Sequence, residues 1–350
     1  MAERLSVGLV KMGHKVSVYN SHNHPYQEKS WKGVNIIHCY DPEYKVGTFG
    51  QFVYDLNCII NTRQHRFDVI LNLGYTSSSV WMRFFPRRSL VITNMDGIEW
   101  KRSKYSRKVQ AFLKYAEKLA VKHSDLLVAD STFIQSYIFE KYKTMPLYIA
   151  YGAELFNTPD ESALAAMQLK PFGYNMIVAR MEPENNIETI LDGIQASASP
   201  LPFLVIGSAT NAFGAYLQNK YRNDARILFK GPVYDLKLLN NLRYYSNMYF
   251  HGHSVGGTNP SLLEAMGCQC FIVAHDNGFN RAVLGNNSFY FNTSEDIKAL
   301  SMSCDRTQQA SRDMISSNYT KIKESYLWES IIGQYENMMT EKKVVVSSVR

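Results

Sequence analysis

Residues 251–268 read HGHSVGGTNPSLLEAMGC. A strand end (YFHGH, 249–253), a loop of small residues (SVGGTN, 254–259) and a helix start (PSLLEAM, 260–266) follow in direct succession. Pro260 suits the first position of a helix, where its missing N–H leaves no bond unmade. Thr258 or Asn259 can cap that helix. Gly256 and Gly257 allow a bulky ligand close to the backbone. A helix N-terminus offers free N–H groups and the positive end of a dipole, and so attracts phosphate. Glu264 falls about one turn into the helix, where a carboxylate can accept hydrogen bonds from sugar hydroxyls. Together these features read as a grip for a nucleotide diphosphate. An ordinary capped helix after a buried strand would give the same pattern.

Outward from this stretch, strand and helix patterns alternate. Apolar, β-rich runs occur at 16–20, 34–40, 68–74, 90–96, 126–131 and 147–152, and again at 174–180, 202–208, 225–231, 247–253, 270–276 and 288–291. Helical periodicity lies between them at 48–63, 105–123, 186–196, 211–221, 235–245 and 260–267. Short continuous apolar strands separated by helices predict parallel sheets covered on both faces. Two such series predict an α/β chain of two doubly wound, Rossmann-like lobes, 1–155 and 172–305, meeting near 152–172. Helices over 306–340 are expected to pack back toward the first lobe. Ligands are expected at strand C-termini and in the cleft between lobes.

The first series lacks a part. A doubly wound lobe opens with a strand, a Gly-rich turn and a helix. This chain opens on the helix, AERLSVGLVKMG (2–13), followed by what should be the second strand. The omitted strand would lie near the sheet centre. The tail KKVVVSSVR (342–350) has strand composition and is one candidate to fill the gap.

Composition bounds the class. The chain has 350 residues, 45% hydrophobic and 20% charged, the balance of a globular protein of about two domains. No apolar run approaches the ~20 residues of a membrane span, and Glu3 near the start argues against a secretory signal. Five irregularly spaced cysteines (39, 58, 268, 270 and 304) suggest free thiols and a cytoplasmic setting. His251, His253, Cys268 and Cys270 lack zinc-finger spacing, and no metal site is expected. The net charge of +7 is concentrated locally. Residues 101–122 carry Lys101, Arg102, Lys104, Arg107, Lys108, Lys114, Lys118 and Lys122 against Glu117 alone. A basic amphipathic helix of this kind is either a solvated face or a docking surface for an anionic membrane. No nucleic-acid-binding motif is present, so nucleic acid is not an expected partner.

Three longer motifs carry a resemblance: NMDGIEWKRSKYS (94–106), VARMEPENNIETILDGI (178–194) and HGHSVGGTNPSLLEAM (251–266). In this order they resemble the large retaining glycosyltransferase family of the GT-B fold, and within it a bacterial rhamnosyltransferase subgroup. The resemblance runs over essentially the whole chain. It implies sugar transfer from a nucleotide diphosphate donor, deoxythymidine diphosphate rhamnose, to a lipid-linked saccharide in surface-polysaccharide synthesis, with retention at the anomeric carbon. It implies no cofactor beyond that donor. The family's Glu-x7-Glu signature reads Gly256…Glu264 here, so the sugar-side carboxylate is absent and the ribose-side one is kept. Gly257, Thr258 and Asn259 would offer backbone N–H groups to the diphosphate or sugar. The family's Arg…Lys diphosphate pair maps to Arg180 and Asn185, and Lys101 or Arg102 are candidates to replace the lost charge. The His-Asp pair of many relatives reads Met95-Asp96. Asp96 and Arg180 become the catalytic candidates, and Gly207, ending the strand VIGS, is expected to border the base.

Around Asp96, the residues Glu99, Trp100, Lys101 and Arg102 form an acidic, aromatic and basic cluster at a strand end, and His22 and His24 follow another strand. All six are acceptor-side candidates. Each has a plainer reading: Asp96-Gly97 as a turn, Trp100 as packing, and the histidines as polar loop groups. Glu182 and Glu184 precede a helix, where acidic residues favour the dipole. No Asp-x-Asp pair occurs, so a metal-held diphosphate is not expected. The rival readings are an epimerase or hydrolase on the same fold, a solute-binding protein, and a transferase relative that binds nucleotide without turnover.

Overall fold

The computed structural model describes residues 1–102 and 105–349, with side chains throughout that range except at 166 and 342–349. The chain forms two compact units, Met1–Tyr151 with Trp328 onward, and Gly152–Leu327.

The first unit opens on α1 (Ala2–Lys11), then β1 (Ser17–Ser21), β2 (Ser30–Trp31) and β3 (Val34–Cys39). The turn α2 (Glu43–Val46) and helix α3 (Gly50–Thr62) lead to β4 (Val69–Asn72) and, through a 3₁₀ segment, β5 (Leu90–Met95). Then follow α4 (Arg107–His123), β6 (Leu126–Ala129), α5 (Thr132–Tyr142) and β7 (Leu147–Tyr148). β1 and β3 pair in parallel, with β2 antiparallel on the outer edge of β3. β4, β5, β6 and β7 form a separate parallel sheet in that order. β5 is buried along its whole length, as its run LVITNM demands. The doubly wound order predicted from sequence is therefore present but split: among the described residues no strand joins β1 to β4, where an opening strand would pair.

The second unit contains β8 (Asn175–Val178), α6 (Ile187–Ala196), β9 (Phe203–Ile206), α7 (Ala212–Lys220), β10 (Ile227–Gly231) and α8 (Leu236–Tyr244). It continues with β11 (Tyr249–His251), α9 (Pro260–Gly267), β12 (Ile272–His275), α10 (Gly278–Leu284), β13 (Phe289–Phe291), α11 (Ser294–Ser303) and α12 (Gln309–Lys321). Its six strands are all parallel, in the order β10-β9-β8-β11-β12-β13. This is the Rossmann order 3-2-1-4-5-6, with the switch point between β8 and β11. Phe203, Val205, Phe250 and Val273 from the strands pack against Ile190, Leu191 and Ile194 of α6, all essentially without solvent contact. Side-chain caps fix the helix starts, from Asn211, Asp235, Asn259 and Asn277, and Thr293 forms a full capping box with Asp296.

The chain leaves the second unit through a π turn (Ile322–Tyr326) and ends in α13 (Trp328–Val349), which packs on α1 in the first unit. Two expectations change here. The 306–340 helices divide, with α12 in the second unit and α13 in the first. The tail 342–349 continues α13 as helix and does not supply a strand, because it extends a helical register already anchored by Ile331 and Tyr335 in the core. The boundary at 151/152 also precedes the segment expected to be a linker; its 3₁₀ segment Glu161–Met167 packs on α8.

Gly193 lets α6 and α11 touch. A Cβ there would lie 2.4 Å from Ile297 Cβ and 2.5 Å from the Ser294 carbonyl oxygen. Gly→Ala in a helix is ordinarily stabilising by up to about 1 kcal/mol. Gly193→Ala is expected to reverse that sign and cost about 1–3 kcal/mol through overpacking, read as a lowered urea midpoint at unchanged m-value.

Candidate functional site

In the second unit, Gly207, Arg180 and the 252–259 loop follow the C-termini of β9, β8 and β11, three adjacent strands. The loops after β8 and β11 are stitched together across the switch point. Asn186 Nδ2 donates to the Gly252 carbonyl at 2.7 Å, and the Ser254 N–H and hydroxyl both donate to the Glu184 carbonyl, at 3.0 and 2.8 Å. Gly252 is pressed so closely on this loop that a Cβ would lie 2.0 Å from the Asn185 carbonyl oxygen. The loop after β12 joins them, as Asn277 and Asn280 donate to the His253 carbonyl at 2.9 and 3.0 Å. The result is a rigid rim of three loops at one end of the sheet.

On this rim Arg180 is exposed. Asn185 is buried and donates to the Arg180 carbonyl at 2.7 Å, so its amide shapes the loop that carries the arginine. Gly207 has φ +152, and a Cβ there would lie 2.0 Å from the Ala179 carbonyl oxygen; close approach of two strand ends accounts for this glycine. Gly256 has φ +138 with open space beside it. Thr258 is buried and Gly257 half-buried. Asn259 is the cap of α9, accepting from the Ser261 N–H at 2.9 Å, which leaves Thr258 out of that role.

Glu264 is half-engaged. Its Oε2 accepts from Arg243 Nη2 at 2.5 Å, while its side chain keeps 42% of its surface exposed. Arg243 is 1% exposed and also donates to Asn240 and Ser261. Sequence reading passed over Arg243. The signal was there: Leu239, Leu242 and Arg243 share the buried stripe of α8, so the cation had to be buried too. His251 was also missed as a site feature. It ends β11 fully buried, stacked on His253 at 4.7 Å, and burial beside two other imidazoles pushes it well below the usual histidine range. Cys268 and Cys270 precede β12 and therefore lie at the opposite strand ends from His251.

In the first unit Asp96 follows β5 directly. Burial, reinforced by Glu99, raises its carboxyl to about 6 against the opposing pull of Arg102. Gly74, ending the β4 connection at φ +145, keeps its α-carbon face open toward this carboxylate, and a Cβ would lie 3.8 Å from Asp96 Oδ2. Tyr75, fully buried, donates to the Gly97 carbonyl at 2.9 Å and holds the turn. Arg102 binds Glu99 Oε1 through Nε and Nη2, at 2.9 and 2.8 Å, so its charge is paired locally. Trp100 is half-buried; its indole donates to Tyr137 at 3.1 Å and Lys114 sits 4.2 Å above its ring. Its ring therefore serves packing more than display. Lys101 is exposed and Lys104 lies outside the described residues. His22 accepts from the Asp41 N–H at 3.0 Å between Tyr40 and Tyr44, and His24 accepts from the Tyr26 N–H at 3.1 Å. Both imidazoles shape loops beyond β1.

Glu117 resolves the one acid of the basic segment. It is 1% exposed and accepts from Tyr137, Lys141 and Tyr142 at 2.9, 2.7 and 2.7 Å. The outer face of α4 keeps Arg107, Lys108, Lys114, Lys118 and Lys122 exposed. No helix among the described residues is long and apolar enough to cross a membrane.

The raised Asp96 carboxyl fixes a sign. Its folded value lies above the ordinary one, so the fold favours the protonated form, and its contribution to stability is lost as pH rises through about 6. Asp96→Asn is expected to raise Tm at pH 7.5 relative to the parent and to leave Tm nearly unchanged at pH 4, as followed by thermal unfolding at both values.

A family model described as a domain of unknown function (DUF1972) matches residues 45–154. No curated protein matches the chain. Solved structures do. A sucrose-phosphate synthase from Thermosynechococcus elongatus is 16% identical, with TM-score 0.80, over 98% of this chain and 93% of that one. A glycosyltransferase from Rickettsia africae is 13% identical, with TM-score 0.73, over 97% and 93%. Anabaena HepE in complex with UDP-glucose is 16% identical, with TM-score 0.74, over 89% and 87%. At these identities the likeness establishes the fold.

Proposed function

We propose that this chain, which has the GT-B fold of two Rossmann-like lobes, is a glycosyltransferase that takes a nucleotide diphosphate sugar at the β8/β11 switch point. The observation that carries this reading is the stitched rim: an exposed arginine after β8 and a capped helix N-terminus after β11, at the crevice where open α/β sheets bind nucleotides. HepE, a neighbour in fold, was solved with UDP-glucose bound. Arg180 and the N–H groups at 257–261 would stabilise the departing diphosphate. Glu264, oriented by Arg243, would accept from the ribose. Asp96 would lie toward the acceptor, as base or orienting group when ionised. The sequence resemblance favours dTDP-rhamnose as donor, a lipid-linked saccharide as acceptor, surface-polysaccharide synthesis as setting, and retention of configuration. Gly256, where relatives place a carboxylate, leaves the sugar held by backbone groups.

The direct test is transfer from a panel of labelled dTDP- and UDP-sugars to a lipid-linked saccharide, with the product anomer read by NMR. Transfer from dTDP-rhamnose with retention is expected; hydrolysis or epimerisation without transfer would replace the reading by a rival. Arg180→Met is expected to weaken dTDP binding about 10–100-fold, the loss of one or two charge-assisted hydrogen bonds. Unchanged calorimetric affinity would remove Arg180 from the site.

We further propose that the exposed cations of α4 face an anionic membrane on the cytoplasmic side. Lys108, Lys114 and Lys118 changed together to Glu should abolish co-sedimentation with phosphatidylglycerol vesicles while leaving Tm within a few degrees. Retained binding would show α4 to be only a solvated face.

A further inference from the structure

The second unit carries a cavity at the end of its sheet away from the rim. Asn247, before β11, and Gln269, before β12, line it, whereas the rim follows the C-termini of β8, β9 and β11. Its volume is about 580 Å³, within the range of small-molecule sites. One wall is a face of α12, where Arg312, Ile315, Ser316 and Tyr319 recur at helical spacing. Another is Phe172, 42% exposed. Arg306, in the turn between α11 and α12, lies among them.

The Arg306 charge is poorly answered by the protein. Its Nη2 donates to the Gln269 carbonyl at 2.8 Å, and its Cζ lies 4.9 Å from the centre of the Phe172 ring. Nη1 is shut off from water and has no hydrogen-bond partner among the described residues. Burial lowers the guanidinium's pKa, against the opposing pull of Cys270 and Tyr244. Asp305 supplies a carboxylate to the lining, but it is turned to Thr307, accepting from that N–H and hydroxyl at 2.7 and 2.8 Å. Arg312 adds a second guanidinium, exposed and bonded to Gln309 at 3.3 Å. A buried charge is ordinarily paired, because its lost hydration is otherwise uncompensated. The two residues that grip Arg306 are themselves in an uncommon backbone. Phe172 and Gln269 have φ +56 and +55, a region that bulky side chains rarely enter. Strained residues of this kind collect at ligand sites.

We propose that this cavity binds a small organic oxyanion, a phosphate monoester or a carboxylate, that carries a ring or other apolar body. Arg306 takes the anionic head, and a turn of its guanidinium brings Nη1 from the protein to the anion. The planar fork of donors suits two oxygens of either head group. Arg312 adds positive potential. Phe172, Ile315 and Tyr319, whose hydroxyl is held by Asn157, take the body. The site is separate from the rim, and the inference does not rest on the proposed activity.

The test is isothermal titration calorimetry of the full chain with phenyl phosphate, benzoate, inorganic phosphate and benzyl alcohol. A ringed anion should bind more tightly than inorganic phosphate, which lacks the ring, and than benzyl alcohol, which lacks the charge. The tighter of phenyl phosphate and benzoate names the head group. Arg306→Met should weaken that binding at least about tenfold, the loss of about one charge-assisted hydrogen bond. Ser316→Trp, a change at an exposed position, should block the cavity and give the same loss with Arg306 intact. Arg180→Met should bind the probe as the parent does. Failure of both ringed anions to bind at millimolar concentration would overturn the inference and leave Arg306 a packing residue on Phe172. So would unchanged affinity in both cavity variants, or equal affinity for inorganic phosphate or benzyl alcohol. A loss in Arg180→Met alone would also overturn it, by placing the anion on the rim.

Discussion

Two carbonyls hold the second unit's working end together, those of Glu184 and Gly252. Each accepts from the opposite loop across the switch point, so the loops after β8 and β11 cannot move apart without breaking both links. In a parallel sheet these two strands are neighbours whose connecting helices leave toward opposite faces, which opens a crevice above them. A crevice alone would be soft. Here its walls are tied by side chains of Asn186 and Ser254, and a glycine at 252 permits the contact that any Cβ would block. Arg180, the cap of α9 and Glu264 inherit their positions from that tie.

A second constraint is the burial of charge. Three groups sit where water would ordinarily be needed: Arg243 under α9, Glu117 under α4 and Asp96 beyond β5. Arg243 is paired with Glu264, with its Nε left without a hydrogen-bond partner among the described residues, and Glu117 is satisfied by two tyrosines and a lysine. Asp96 is treated differently. Its nearest charges oppose one another, and burial decides, holding the carboxyl near 6. Removing one partner of a paired buried charge leaves the other uncompensated and is costly; a carboxyl held up by burial instead changes its charge with pH.

The parallel strands were legible in the sequence because each is a continuous apolar run bounded by turn residues, and the alternation with helices gave the layer class. β2 was not legible, since Ser30–Trp31 is two residues long and its pairing is set by β3. The tail was misread as a possible strand because Val-Val-Val carries β propensity, and a helix already anchored upstream overrides it. At the site, glycines and the cap at Asn259 declared themselves through local chemistry. Arg243 and Glu117 stayed hidden because a charged residue is assumed to face water. Their positions on apolar stripes, beside Leu242 and Ala116, were the overlooked sign. Asn185 and Gly207 have packing partners that no local pattern announces, the Arg180 carbonyl for the first and the Ala179 carbonyl for the second. Trp100, His22 and His24 were placed correctly near strand ends, yet their hydrogen bonds turn them to loop architecture.

The parallel bridge between Ala153 and Leu327, with the Ala153 N–H donating to the Tyr326 carbonyl at 2.7 Å, closes the second unit at its own doorway. The incoming and outgoing chain are thus held one strand spacing apart, roughly 4.8 Å. Residues 152–327 are thus an insert in the chain of the first unit, bounded by two stretches of backbone that lie side by side. Because both ends of that insert meet at one bridge, the segment has the geometry of a part that can be excised or grafted by cutting the chain at two neighbouring points.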